Sequence, residues 1–260
     1  MTALPSALIT VPQPTRRNIM AVASGKGGVG KTWLAITLAH ALARLDRRTL
    51  LFDGDLGLAN VDIQLGLMPD RDLGSVLAGR LALAQATILY EPGGFEIIAG
   101  RSGCGRLGAV PDVRLASLDE ELLAAAGHYD HVVLDLGAGL ERTVRRLTRL
   151  AGACIVVVTD EPTSLTDAYA FIKVLQMDRS ETEVRIVVNL ASSRQQGERT
   201  YDTLLRACTS FLKLSPRLLG VVRRDAKVRE AIRAQTSLLT RFPNCEAALD
   251  VEAIAAEILA

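Results

Sequence analysis

Apolar residues gather along this chain in short runs, separated by longer stretches in which they recur every three to four positions. The mainly apolar runs at 20–23, 49–52, 95–98, 129–135, 154–159, 183–188 and 218–222 read as strands, with Glu96, Asp130, His131, Asp135, Glu183 and Arg185 as the charged or titratable residues in them. Helical spacing marks 33–45, 73–83 around Gly79, 115–126 with a cap near Ser117 or Asp119, 200–211 and 251–259. A further helix reaches Leu175 after a turn set by Pro162, with Ser164 or Thr166 as its cap, and another opens between Arg223 and Ala231. Mainly apolar strands alternating with helices predict an α/β fold: a mostly parallel, doubly wound sheet with helices on both faces. In that architecture ligands sit beyond the carboxyl ends of the strands.

The first strand runs into Ser24-Gly25-Lys26-Gly27-Gly28-Val29-Gly30-Lys31-Thr32, and a helical pattern follows at once. Gly25, Gly30, Lys31 and Thr32 satisfy G-x-x-x-x-G-K-[ST]. Strand, glycine loop and helix are the context in which that pattern holds phosphate. The glycines let successive N–H groups turn inward, and the helix start adds the positive end of its dipole. Lys31 can reach the β- and γ-phosphates, and the Thr32 hydroxyl can ligate Mg²⁺. A phosphate loop needs only Lys31. Lys26 is therefore a second lysine, either a solvated charge beside the phosphates or a residue with its own task.

Three other strand ends carry polar groups. Asp53 and Asp55 follow the second strand: a pair of turn or N-cap aspartates, or two carboxylates aimed at a metal and a water near the γ-phosphate. Asp135 ends the strand at 129–135, where it can bear on Mg²⁺ or cap a helix from Glu141 onward. Asn189 follows the strand at 183–188 and is either a turn residue or an amide able to pair with an adenine edge. His131 reads as a strand residue, and Arg223 and Arg224 as solvated charge.

The loop at 25–32 resembles the deviant Walker A loop of the MinD/ParA class of ATPases. The resemblance extends to Asp-Gly-Asp-Leu-Gly-Leu-Ala-Asn-Val-Asp at 53–62, Asp-Leu-Gly-Ala-Gly at 135–139 and Glu-Pro-Thr-Ser-Leu-Thr-Asp-Ala-Tyr at 161–169, and it is strongest toward the FlhG/FleN branch, which controls flagellar number and placement. It implies slow Mg²⁺-dependent ATP hydrolysis used as a switch. Lys26 would cross to the partner's nucleotide in an ATP-bridged homodimer. Asp55 would position the attacking water, Asp53 would lie near Mg²⁺, and Gly25, Gly27, Gly28, Val29, Gly30, Lys31 and Thr32 would cradle the phosphates. The metal set would be Thr32, Asp53 and Asp135, the catalytic set Lys26, Lys31 and Asp55, and Asn189 would read the base. Partners of that branch include the GTPase FlhF. MinD- or ParA-like positioning of the division site, DNA or another cargo is an alternative, as is a nucleotide-binding scaffold with little catalysis.

The match departs from the class at Ala99, where a proline is expected, and at Arg223 and Arg224, where a proline precedes the acid. The final helical stretch carries Asp250, Glu252 and Glu257, with no lysine or arginine after Arg241. Such a tail lacks the basic face used on anionic lipid, which argues against direct membrane attachment. Residues 1–17 read as a flexible lead-in without the pattern of a secretory signal or of the branch's glutamine-containing segment, and 18–260 as one domain.

Composition adds limits. The formal net charge is +1 and aromatic residues are 4%, which gives no global signal for nucleic acid. The cysteines Cys104, Cys154, Cys208 and Cys245 form no C-x-x-C pair, so neither a zinc ribbon nor a redox motif is indicated, and Cys154 falls in a strand. Reduced thiols in a cytoplasmic protein are the expectation.

Overall fold

A computed structural model describes residues 18–100, 110–178 and 182–260. The expected lead-in at 1–17 and the loop holding Cys104 lie outside the described residues. In chain order the elements are β1 (Ile19–Ser24), α1 (Lys31–Arg44), β2 (Thr49–Gly54), α2 (Val61–Leu65), α3 (Leu73–Leu77), β3 (Thr87–Tyr90) and β4 (Phe95–Ile98). There follow α4 (Asp112–Ala126), β5 (His131–Ala138), α5 (Arg142–Thr148), β6 (Ala153–Val158), α6 (Pro162–Asp178) and β7 (Glu183–Ala191). The chain closes with α7 (Arg194–Ala207), β8 (Arg217–Arg223), α8 (Ala226–Arg233), α9 (Leu238–Arg241) and α10 (Glu246–Leu259).

The sheet order is β3-β4-β2-β5-β1-β6-β7-β8. Every pairing is parallel except β3 with β4. β1 lies between β5 and β6, so the chain leaves it in both directions and a crevice opens beyond its carboxyl end. Its side chains alternate between two cores. Ile19, Ala21 and Ala23 pack with residues of α4, α5 and α6, whereas Met20 and Val22 pack with α1 and α10. Burial on both faces explains why the central strands are mostly apolar up to the site residues at their carboxyl ends, and Cys154 is fully buried among them.

Several boundaries differ from the sequence reading. The helix expected over 73–83 stops at Leu77, because Gly79 takes a left-handed conformation (φ 72°). Its N–H donates to Val76 O and that of Arg80 to Ser75 O, the paired bonds that close a helix end on glycine. α4 begins at Asp112, ahead of both proposed caps; Asp119 instead pairs with Arg146 of α5 at 2.7 Å. α6 starts at Pro162, whose fixed φ suits a first helical turn. Ser164 accepts the Thr159 N–H, and Thr166 donates back to Pro162 O, so neither is the cap. β5 runs three residues past Asp135, α7 starts before Thr200 and α10 before Val251. Arg223 is not solvated charge: it donates to both carboxylate oxygens of Asp250, which is buried on α10.

Candidate nucleotide site

The loop Gly25–Gly30 leaves β1 and turns directly into α1. Gly28 and Gly30 have φ of 80° and 89°, the left-handed region that glycine enters at little cost. Gly25 is required for a different reason. A Cβ there would lie 2.2 Å from the backbone carbonyl of Asp167, so the loop can rest on α6 only without a side chain. Ser24 ties the turn by donating to Lys26 O at 2.6 Å.

Lys31 is the first residue of α1 and is buried; its Nζ donates to Ser24 Oγ at 2.9 Å. Burial pushes its ammonium below the ordinary lysine value, while Asp135 and then Asp55 pull it back up. Asp53 and Asp135 are register partners across β2 and β5, which sets the two carboxyls side by side. Asp53 Oδ1 accepts from Asp55 N, and Oδ2 accepts from Asn60 N and Val61 N. Burial pushes Asp53 up to about 7, against the downward pull of those N–H groups. Burial, then the Asp53 charge, raises Asp135 well above the usual carboxylate range, with Thr32 and Lys31 pulling the other way.

These features test whether a divalent cation fits. Asp135 Oδ1 is buried without a hydrogen-bond partner among the described residues, and the Thr32 hydroxyl bonds to the same carboxyl. A buried acceptor left open beside a hydroxyl is a cost that a hard cation removes. Among the described residues no group of three or more His, Cys, Asp or Glu could hold a metal alone. Thr32 and Asp135 therefore suit Mg²⁺ that completes its shell with phosphate oxygens and water. Asp53, already engaged by three N–H groups, braces the 54–61 loop beside it.

Asp55 stands at the rim, with Oδ1 accepting from Gly57 N at 3.2 Å and Leu58 N at 2.9 Å. Its carboxyl lies over Gly137, where an added Cβ would sit 3.4 Å away. Lys26 is on the outer side of the loop, donating to Glu161 and, at 2.9 Å, to Thr163 Oγ1. The motif at 161–169 thus meets the loop within one chain. Asn189 is buried, and its amide is turned onto the loop: Nδ2 donates to Val29 O and Oδ1 accepts from Leu190 N, both at 2.8 Å. The sequence expected that amide to face a base. Its contact with Val29, 160 positions away, could be seen only in three dimensions. His131 is a half-buried strand residue whose pKa burial lowers.

A glycine loop between a central parallel strand and a helix, with a buried lysine and a buried carboxylate on the neighbouring strand, defines a P-loop nucleotide-binding domain. A model of the CobQ/CobB/MinD/ParA nucleotide binding domain matches residues 20–238, and the chain belongs to that family. The antiactivator FleN of Pseudomonas aeruginosa is 39% identical over 240 residues, covering 92% of this chain and 85% of that protein. The flagellum site-determining protein YlxH of Helicobacter pylori is 29% identical, covering 86% and 76%. Among solved structures, the septum site-determining protein MinD of Pyrococcus horikoshii, complexed with Mg-ADP, superposes with a TM-score of 0.77 at 25% identity, covering 93% and 96%.

Proposed function

We propose that this chain is a Mg²⁺-dependent ATPase whose nucleotide state sets its pairing with a second copy, and that the pair regulates flagellar number or placement. The observation that carries the reading is a complete phosphate loop with a second lysine, Lys26, on its outer side, held by Glu161 and Thr163 rather than turned into the phosphate cradle. The similarity to YlxH, named a flagellum site-determining protein, supports the flagellar assignment, and the similarity to the antiactivator FleN agrees with the branch that the motifs resemble.

In this reading the N–H groups of 25–30 and the ammonium of Lys31 hold the phosphates. Thr32 and Asp135 would hold Mg²⁺, which would supply positive charge against the phosphates when bound. Asp53 keeps the loop after β2 in place, so that Asp55 can accept a hydrogen bond from water and orient it. Phosphoryl transfer depends mainly on position and charge, and a fixed carboxylate suffices to place water. Lys26 would leave Glu161 and Thr163 for the triphosphate of the other copy. The partner that reads the dimer would be a protein such as the GTPase FlhF or another flagellar regulator. Among the described residues no helix is long and apolar enough to cross a membrane, and the apolar face of α10 is buried against α1 and β8.

The test is phosphate release from ATP by the wild type and by Asp55→Ala. The reading expects measurable Mg²⁺-dependent turnover that falls at least about tenfold in the variant, with ATP affinity retained. Equal turnover in both would remove Asp55 from the reaction.

A further inference from the structure

The contact between Asn189 and the phosphate loop has a consequence for how the loop holds its shape. Val29 sits between two glycines in left-handed conformations, Gly28 and Gly30. Such a stretch has little preference of its own, and the Val29–Gly30 peptide could rotate as a unit. Asn189 Nδ2 donates to Val29 O at 2.8 Å and so fixes that carbonyl. A trans peptide is planar, with its C=O and N–H on opposite sides. Fixing Val29 O toward Asn189 therefore directs the Gly30 N–H the other way, and that N–H meets no backbone acceptor among the described residues.

Asn189 is itself held on both sides. Its Oδ1 accepts from Leu190 N at 2.8 Å, and Leu190 takes φ of 58°, a conformation a leucine rarely adopts. The β7–β8 register shifts between Ile186 and Val187 and again between Val188 and Ala191, and the second shift spans Asn189 and Leu190. A bulge at a strand end re-aims a side chain. Here it accompanies an amide turned back onto the loop. The fit is close: a Cβ on Gly30 would lie 2.5 Å from Asn189 Nδ2.

We propose that Asn189 is a positioning residue for phosphate binding: by anchoring Val29 O it presets the Gly30 N–H as a phosphate donor. This rests on the reading of residues 24–32 as a phosphate site. It differs from a base-reading role in which ligands feel the change, so ligands lacking one part or the other separate the two.

The experiment measures Mg²⁺-tripolyphosphate, ATP and adenosine binding by wild type and Asn189→Ala. The apolar near-isostere Asn189→Leu serves as the second variant, and thermal melting verifies folding. Tripolyphosphate and ATP are expected to weaken by the same factor, about tenfold for a lost anchor that also leaves a buried carbonyl unpaired, while adenosine is unchanged. Unchanged tripolyphosphate affinity, with or without weaker ATP binding, would overturn the proposal. An equal fall for all three ligands would reveal general damage and also overturn it. Failure of the wild type to bind tripolyphosphate at all would instead strike at the phosphate-site reading.

Discussion

Lys31 is a lysine under opposed forces. Burial works against its charge, Asp135 and Asp55 favour it, and among the described residues its ammonium donates to the neutral hydroxyl of Ser24. A triphosphate would supply a direct anionic partner in place of the more distant attraction of Asp135 and Asp55. Lys31→Ala should therefore remove measurable Mg²⁺-nucleotide binding by calorimetry, with a cooperative thermal melt showing that the variant still folds. Retained affinity within about threefold would contradict the assignment. The candidate residues were legible in the sequence because the loop, Asp53 and Asp55 close or follow an apolar strand and Asp135 closes an apolar run, although β5 continues three residues beyond it. What they touch was not: the adjacency of Asp53 and Asp135 depends on the register of β2 against β5, which spacing does not reveal.

At the scale of elements, α1 joins the phosphate loop to the rest of the molecule. Midway along it, His40 is buried, with Nδ1 2.7 Å from Ser237 Oγ at the start of α9. Burial, reinforced by Arg44, lowers its pKa to about 4. The folded protein therefore holds His40 neutral, while the unfolded chain takes up a proton below about 6.5. This contribution is present above that value and fades as pH falls toward 4. Urea unfolding at pH 7 and pH 5 should show the wild type losing about 2 kcal/mol more than His40→Gln between the two conditions. Parallel losses would show that His40 does not titrate differently on folding. The central strands were legible because both faces are buried and their apolar runs are continuous. The edge strand β3 was not, since Thr87, Ile88 and Leu89 are only partly covered and the run is four residues long. Helix starts were misplaced where polar residues resembled caps but serve tertiary contacts, as Asp119 does with Arg146.

For the whole molecule, the sheet gathers Lys31, Thr32, Asp53, Asp55 and Asp135 at one crevice, while Lys26 sits outside the loop in the grip of Glu161 and Thr163. A single copy satisfies Lys26 internally. A second copy bearing a triphosphate offers a stronger anion, and exchanging one partner for the other would link nucleotide state to assembly. The family resemblance predicted this role for Lys26. The Glu161 contact was beyond the sequence, since the two residues lie 135 positions apart. The most direct measurement is the molar mass in solution, by gel filtration with light scattering, of wild type and Lys26→Ala with Mg²⁺ and a non-hydrolysable ATP analogue, at concentrations where both are saturated. The wild type should approach twice the 27.9 kDa chain mass and return to one chain with ADP, while Lys26→Ala stays at one chain throughout. A wild type that stays single-copy with the analogue, or a Lys26→Ala variant that pairs as readily, would contradict the account.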